Sequence, residues 1–128
     1  MALMACSGSR EDVRVTLCKD MVAVQLGSSE PMTWTAVEAR AHGYEHAAVT
    51  LRYTAQGRGG EAACYYKYNA VEDNALTISD PLSAYSTSPY EMTLNGRSLS
   101  RSDLAKTILE AMAKQGRAFL ERAKRGPN

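Results

Sequence analysis

Residues 47–68 read Ala47-Ala48-Val49-Thr50-Leu51-Arg52-Tyr53-Thr54, then Ala55-Gln56-Gly57-Arg58-Gly59-Gly60, then Glu61-Ala62-Ala63-Cys64-Tyr65-Tyr66-Lys67-Tyr68. The first run alternates: Ala47, Val49, Leu51 and Tyr53 point one way and Thr50, Arg52 and Thr54 the other, the signature of a strand with one face buried. The third run places Cys64, Tyr66 and Tyr68 together and turns Tyr65 and Lys67 away. The glycines between them accept the positive φ values that a chain reversal needs. Two strands joined this way form an antiparallel hairpin.

Working outward, Met32 to about Ala41 is another β-prone alternating run, with Met32, Trp34 and Ala36 on one side and Thr33, Thr35 and Val37 on the other. Residues 69–89 are rich in Ser, Asp, Asn and Ala, with one short apolar run at 75–78 and turn-initiating Asp80-Pro81 and Ser88-Pro89. Tyr90 to Leu94 reads as a final short strand closed by the turn dipeptide Asn95-Gly96. The strands form a meander of three to five members.

Helices flank this meander. Ser9 is placed to cap a helix from about residue 10 to 26, with Glu11 and Asp12 in its first turn and Val13, Leu17, Cys18, Met21, Val22 and Val24 on its apolar side. Gly27 and Pro31 stop it. A second, longer helix starts at Ser100 or Ser102 and carries Leu104, Ile108, Met112, Gln115, Phe119 and Arg122 on one stripe, widened by Leu109, Ala111 and Leu120. It ends at Gly126-Pro127 and is expected to cover the sheet. The fold class is α+β: N-terminal helix, antiparallel β-meander, long C-terminal helix packed on the sheet.

The chain of 128 residues is 45% apolar and 23% charged, an ordinary globular composition that fits one domain, taken as residues 10–126 behind a tether of residues 1–9. Fifteen Lys and Arg against fourteen Asp and Glu leave a net charge of +1, far from the basic excess of a generic polyanion binder, so no nucleic acid is expected as a partner. No apolar run is long enough to span a bilayer.

Catalytic patterns are absent: there is no G-x-S-x-G elbow, and Gly57-Arg58-Gly59-Gly60 lacks the lysine and spacing of a phosphate-binding loop. His42 and His46 stand four apart without a C-x-x-C pair, so they read as exposed loop histidines and no metal or cofactor is expected. The expected function is therefore binding without catalysis. Tyr65, Tyr66 and Tyr68, beside Arg52, are the candidate binding surface, since exposed tyrosines suit a protein, glycan or nucleotide. The plainer account is that strands favour tyrosine for packing.

The three cysteines are Cys6, Cys18 and Cys64. Leu3-Met4-Ala5-Cys6, followed by Ser7-Gly8-Ser9, resembles the end of a bacterial lipoprotein signal peptide. That resemblance covers residues 3–9 and implies lipidation at Cys6, a membrane anchor and a periplasmic, cell-envelope location. The alternative is an ordinary cysteine in the tail of a cytosolic small enzyme or nucleic-acid-binding module. With Cys6 set aside, Cys18 and Cys64 form an even set, as an oxidising compartment favours. A bridge between them pins helix to sheet and closes a loop of about 47 residues, a stabilisation of roughly 4 kcal/mol in the chain-entropy model. Two buried free thiols are the competing reading.

Overall fold

The computed structural model describes residues 11–27, 32–68 and 81–124. Its elements are α1 (Val13–Leu26), β1 (Thr33–His42), β2 (His46–Ala55), β3 (Arg58–Lys67), a 3₁₀ turn (Pro81–Ala84), β4 (Glu91–Leu94), β5 (Arg97–Ser98) and α2 (Arg101–Lys124). The strands form one antiparallel sheet in the order β1-β2-β3-β4-β5, so the fold is α+β with a five-stranded meander between two helices. The lipobox-like stretch, the run 75–78 and the stop at Gly126-Pro127 lie outside the described residues, whereas the expected Ser9 cap is overturned: Asp12 is the cap, and Glu11 and Asp12 precede the helix instead of forming its first turn.

Two tight turns set the registers. Gln56 and Gly57 have φ of 52° and 80°, and Asn95 and Gly96 have φ of 52° and 85°. Two successive residues with positive φ give the twist that a two-residue hairpin requires, and glycine occupies the second position each time. The β2–β3 loop is thus two residues, shorter than the six-residue span 55–60 suggested. Pairing consequently places Val49 opposite Cys64 and Leu51 opposite Ala62.

β1 departs from strict alternation. Trp34 pairs with Tyr53, whereas the next pairs are Ala36 with Arg52 and Val37 with Leu51, an irregularity between Trp34 and Ala36. The extra residue reverses the side on which everything after it points. Trp34 and Val37 therefore share the covered side, and Ala36 faces away from Trp34 instead of beside it.

The core forms on that covered side. Val49, Leu51, Cys64, Tyr66 and Met92 from the sheet meet Leu17, Cys18, Met21 and Val22 from α1. Cys18 and Cys64 sulfurs sit at disulfide-bonding distance with Cα atoms 6.1 Å apart, joining α1 to β3 at the centre of this layer. Asp12 caps α1, its carboxylate accepting from the Arg14 backbone N–H at 2.8 Å, and Gly27 closes the helix in the left-handed conformation. Leu17, Cys18, Met21 and Val22 are buried as expected, and the face departs from the expected one at its start, where Val13 is exposed and Arg14 is buried. That guanidinium is compensated on every side, paired with Asp12 at 2.9 Å and donating to the carbonyls of Ser86 and Tyr85.

α2 starts at a Ser100 cap, whose hydroxyl accepts from the Asp103 N–H at 3.1 Å. Leu104 and Ala111 join the core, and the helix runs mainly along α1, fastened by Gln25 to Thr107 (2.7 Å) and Gln115 to Asp20 (2.8 Å). The expected stripe is used only in its first half. Its later members Met112 and Phe119, and the widening Leu109 and Leu120, are exposed.

Candidate functional site: the open face of the sheet

α1 packs on one face of the sheet and α2 is fastened along α1 instead of lying across the sheet as expected, so the registers determine what the other face presents. Five rows cross it: Thr33, Thr54 and Gly59; then Ala36, Arg52 and Glu61; then Glu38, Thr50, Ala63, Thr93 and Ser98; then Arg40, Ala48, Tyr65 and Glu91; then His42, His46 and Lys67. Small side chains occupy the middle and long polar ones the rim. A shallow depression of roughly 240 Å³ results, lined by Thr50, Glu61, Ala63, Tyr65, Thr93 and Gly96.

Local geometry fixes the rim. Arg52 Nε donates to Glu61 Oε2 at 3.0 Å across the β2–β3 pair. Arg40 reaches Glu38 along β1 at 3.1 Å. Both pairs are solvent-exposed, where an ion pair contributes little stability, so their role is to hold charge in a defined place. The main chain of Glu61 is clamped by Asn95: Glu61 N–H donates to Asn95 Oδ1 at 2.8 Å, and the Asn95 N–H donates to Glu61 O at 2.7 Å. At the other end the His42 and His46 rings lie 4.8 Å apart, His46 meets Tyr65 edge-on at 5.6 Å, and Lys67 sits 5.7 Å above the Tyr90 ring.

The sequence-derived site residues divide between the faces. Arg52 and Tyr65 stand on the open face, two rows apart. Tyr66 does not join them, since it is fully buried and its hydroxyl donates to the Arg14 carbonyl at 2.7 Å. Burial raises its pKa well above the ordinary tyrosine value, with the Arg14 charge opposing and Asp12 reinforcing that rise. Tyr68 is half-buried beyond the end of β3, bridged to Tyr85 and packed edge-on against Tyr44 and Tyr85. Of these three tyrosines two are mostly packing, and Tyr65, half-buried, is the one that stands on the open face, with Tyr90 exposed nearby under Lys67. His42 and His46 close the β1–β2 hairpin as a cross-strand pair rather than standing in a loop.

Sequence reading missed Thr50, Ala63, Thr93 and the Glu61 partner of Arg52. The signal was present in Gln56-Gly57: a two-residue turn centred there pairs Arg52 with Glu61, Thr50 with Ala63 and Ala48 with Tyr65. Chemically, the face offers hydroxyls, a phenol, an imidazole pair and fixed charges of both signs. Among the described residues no group of three or more His, Cys, Asp or Glu is placed to hold a metal ion. No protein-family model, no curated protein and no solved structure matches this chain.

Proposed function

We propose that the chain is the folded body of a bacterial cell-envelope lipoprotein, anchored through Cys6 and acting by binding a protein or envelope component on the open face of its sheet. The observation that carries this reading is the pairing of Cys18 with Cys64 inside the core. A pair so placed persists in an oxidising compartment, and it leaves Cys6, within the lipobox-like stretch, as the remaining cysteine of the sequence.

The open face supports binding over catalysis. It holds three cations, Arg40, Arg52 and Lys67, and three carboxylates, Glu38, Glu61 and Glu91, around a floor of small residues. That balance suits a partner of mixed polar surface better than a polyanion. Tyr65 supplies the amphipathic ring that protein interfaces favour.

Palmitate labelling of cells expressing the gene with its own upstream codons tests the anchor. Label on the wild-type protein that disappears with Cys6→Ser, together with release from the membrane fraction under a high-salt wash, is the expected result. Identical labelling and fractionation of the two proteins would overturn the lipoprotein reading. For the binding face, a photo-crosslinking residue at position 65 is expected to give one discrete adduct in cells, suppressed by Thr50→Lys. An adduct unaffected by Thr50→Lys assigns binding elsewhere.

A further inference from the structure

We infer that the exposed face of α2 is a docking surface for an anionic lipid bilayer, with the helix lying in the plane of the membrane. The inference stands on α2 alone and does not depend on lipidation at Cys6.

α2 turns its docked side, Leu104, Thr107 and Ala111, toward α1 and the core. A second apolar stripe on a different side of the helix has no cover among the described residues. Leu109 is 68% exposed, Phe119 63%, Leu120 59% and Met112 42%. These four are spaced as one face of a helix and are separated along it only by Ala113 and Gly116, both exposed.

The charges flanking this stripe are ordered by sign. At about 100° per residue, Arg101, Lys106, Lys124, Arg117 and Arg122 lie roughly 50–110° from the stripe midline and the acids Asp103, Glu110 and Glu121 roughly 130–150° from it, while Lys114 stands behind them, 3.8 Å from Asp20. The exposed charges nearest the apolar surface are thus all cationic, and the carboxylates are turned back toward solvent. α2 holds six Lys and Arg against three Asp and Glu, leaving nine against eleven on the rest of the chain. Positive charge is concentrated on the one element whose apolar side is unused.

An apolar stripe of Leu, Met and Phe bordered by Lys and Arg is what an interfacial helix needs. The rings and aliphatic chains enter the acyl boundary while the long cationic side chains reach out to phosphate. No helix among the described residues is long and apolar enough to cross a membrane, so the helix lies on the surface rather than through it. A second copy of the chain is the less suited occupant, because self-pairing brings two cation-bordered stripes together without carboxylates at their margins.

Co-sedimentation with vesicles of phosphatidylcholine, with and without a third of phosphatidylglycerol, tests this on the full chain carrying Cys6→Ser, so that no lipid anchor contributes. Binding is expected only to the anionic vesicles and is expected to weaken with salt. Each cation lost contributes roughly a five-fold loss of partitioning, so Arg117→Gln with Lys124→Gln lowers it more than ten-fold. Phe119→Ser with Leu120→Ser does the same, while Phe119→Leu retains binding. All these positions are exposed, so thermal melts by circular dichroism are expected to stay unchanged. Failure to bind, equal binding to both vesicle types, or a dimer in sedimentation velocity that Phe119→Ser with Leu120→Ser dissolves would each overturn the inference. None of these outcomes bears on Cys6, whose lipidation is read separately by labelling.

Discussion

The Tyr66 hydroxyl donates a 2.7 Å hydrogen bond to the main-chain carbonyl of Arg14, joining the end of β3 to the first turn of α1 through a phenol that solvent does not reach. Tyr66→Phe removes this donor, which joins a strand to a helix beyond the helix's own hydrogen bonds, at a cost of about 1 kcal/mol in urea unfolding at neutral pH. The same site sets an alkaline limit. The folded-state pKa is raised by burial above the unfolded value, so this contribution is complete below about pH 10 and is lost as pH rises beyond it. Stability measured from pH 8 to 11.5 is expected to fall less steeply in Tyr66→Phe than in the parent.

Arg14 is a buried cation whose partners come from two separate segments, Asp12 before α1 and the Tyr85 and Ser86 carbonyls after the 3₁₀ turn. Arg14→Met leaves both carbonyls without that donor and removes the Asp12 counter-charge, and is expected to cost about 3 kcal/mol. Arg14→Lys recovers only part of it, because one ammonium cannot span the donor directions of a guanidinium. Denaturant midpoints of the three proteins check the order.

Cys18 and Cys64 are separated by 46 residues in sequence and lie in α1 and β3. Reduction, or replacement of both by Ala, lengthens the loops free in the unfolded chain and is expected to lower stability by about 4 kcal/mol. Unfolding with and without reductant measures this directly, accompanied by an intact-mass gain of about two daltons on reduction as two thiols form. A parent protein indifferent to reductant, with no mass change, contradicts the bridge.

Two glycines are expected to respond oppositely to alanine. At Gly60 an added Cβ runs into the Tyr53 ring, which is buried and whose hydroxyl accepts from Asn95 at 3.1 Å. Gly60→Ala therefore destabilises by about 2 kcal/mol, as the ring must leave its site. At Gly116 the added methyl meets open space within a helix, so Gly116→Ala stabilises by about 0.5–1 kcal/mol. Thermal unfolding of the pair separates steric cost from backbone entropy.

Much of the architecture was legible because its signals are local. The alternation in 47–54 and 61–68 and the glycines between them specify a hairpin, and Asn95-Gly96 specifies another. A helix on each side of the meander was likewise written in spacing and caps. Other features depended on a single residue of phase: the irregularity after Trp34 exchanged the sides of Ala36 and Val37, and the short turn at Gln56-Gly57 set which residues share a row.

The candidate face was legible only in part, for a related reason. Arg52 and Tyr65 were identifiable as outward-facing, but their neighbours Ala63, Thr93 and Glu91 come from other strands, and a one-strand pattern does not reveal cross-strand pairs. Tyr66 was misjudged by residue type. A tyrosine among tyrosines suggested a surface, yet it is buried, its hydroxyl donating to the Arg14 carbonyl of another segment.

By itself, the order of amino acids determined which segments are helix or strand and where the chain reverses, since those choices follow from side-chain periodicity and from backbone torsions available to Gly and Asn. Cysteine count already favoured a Cys18–Cys64 pair, whereas the tertiary structure alone decided that Arg14 is covered and that α2 leaves its second apolar stripe bare. These outcomes depend on which surfaces compete for a limited area of sheet and helix, a sum over contacts distant in sequence that no single segment encodes.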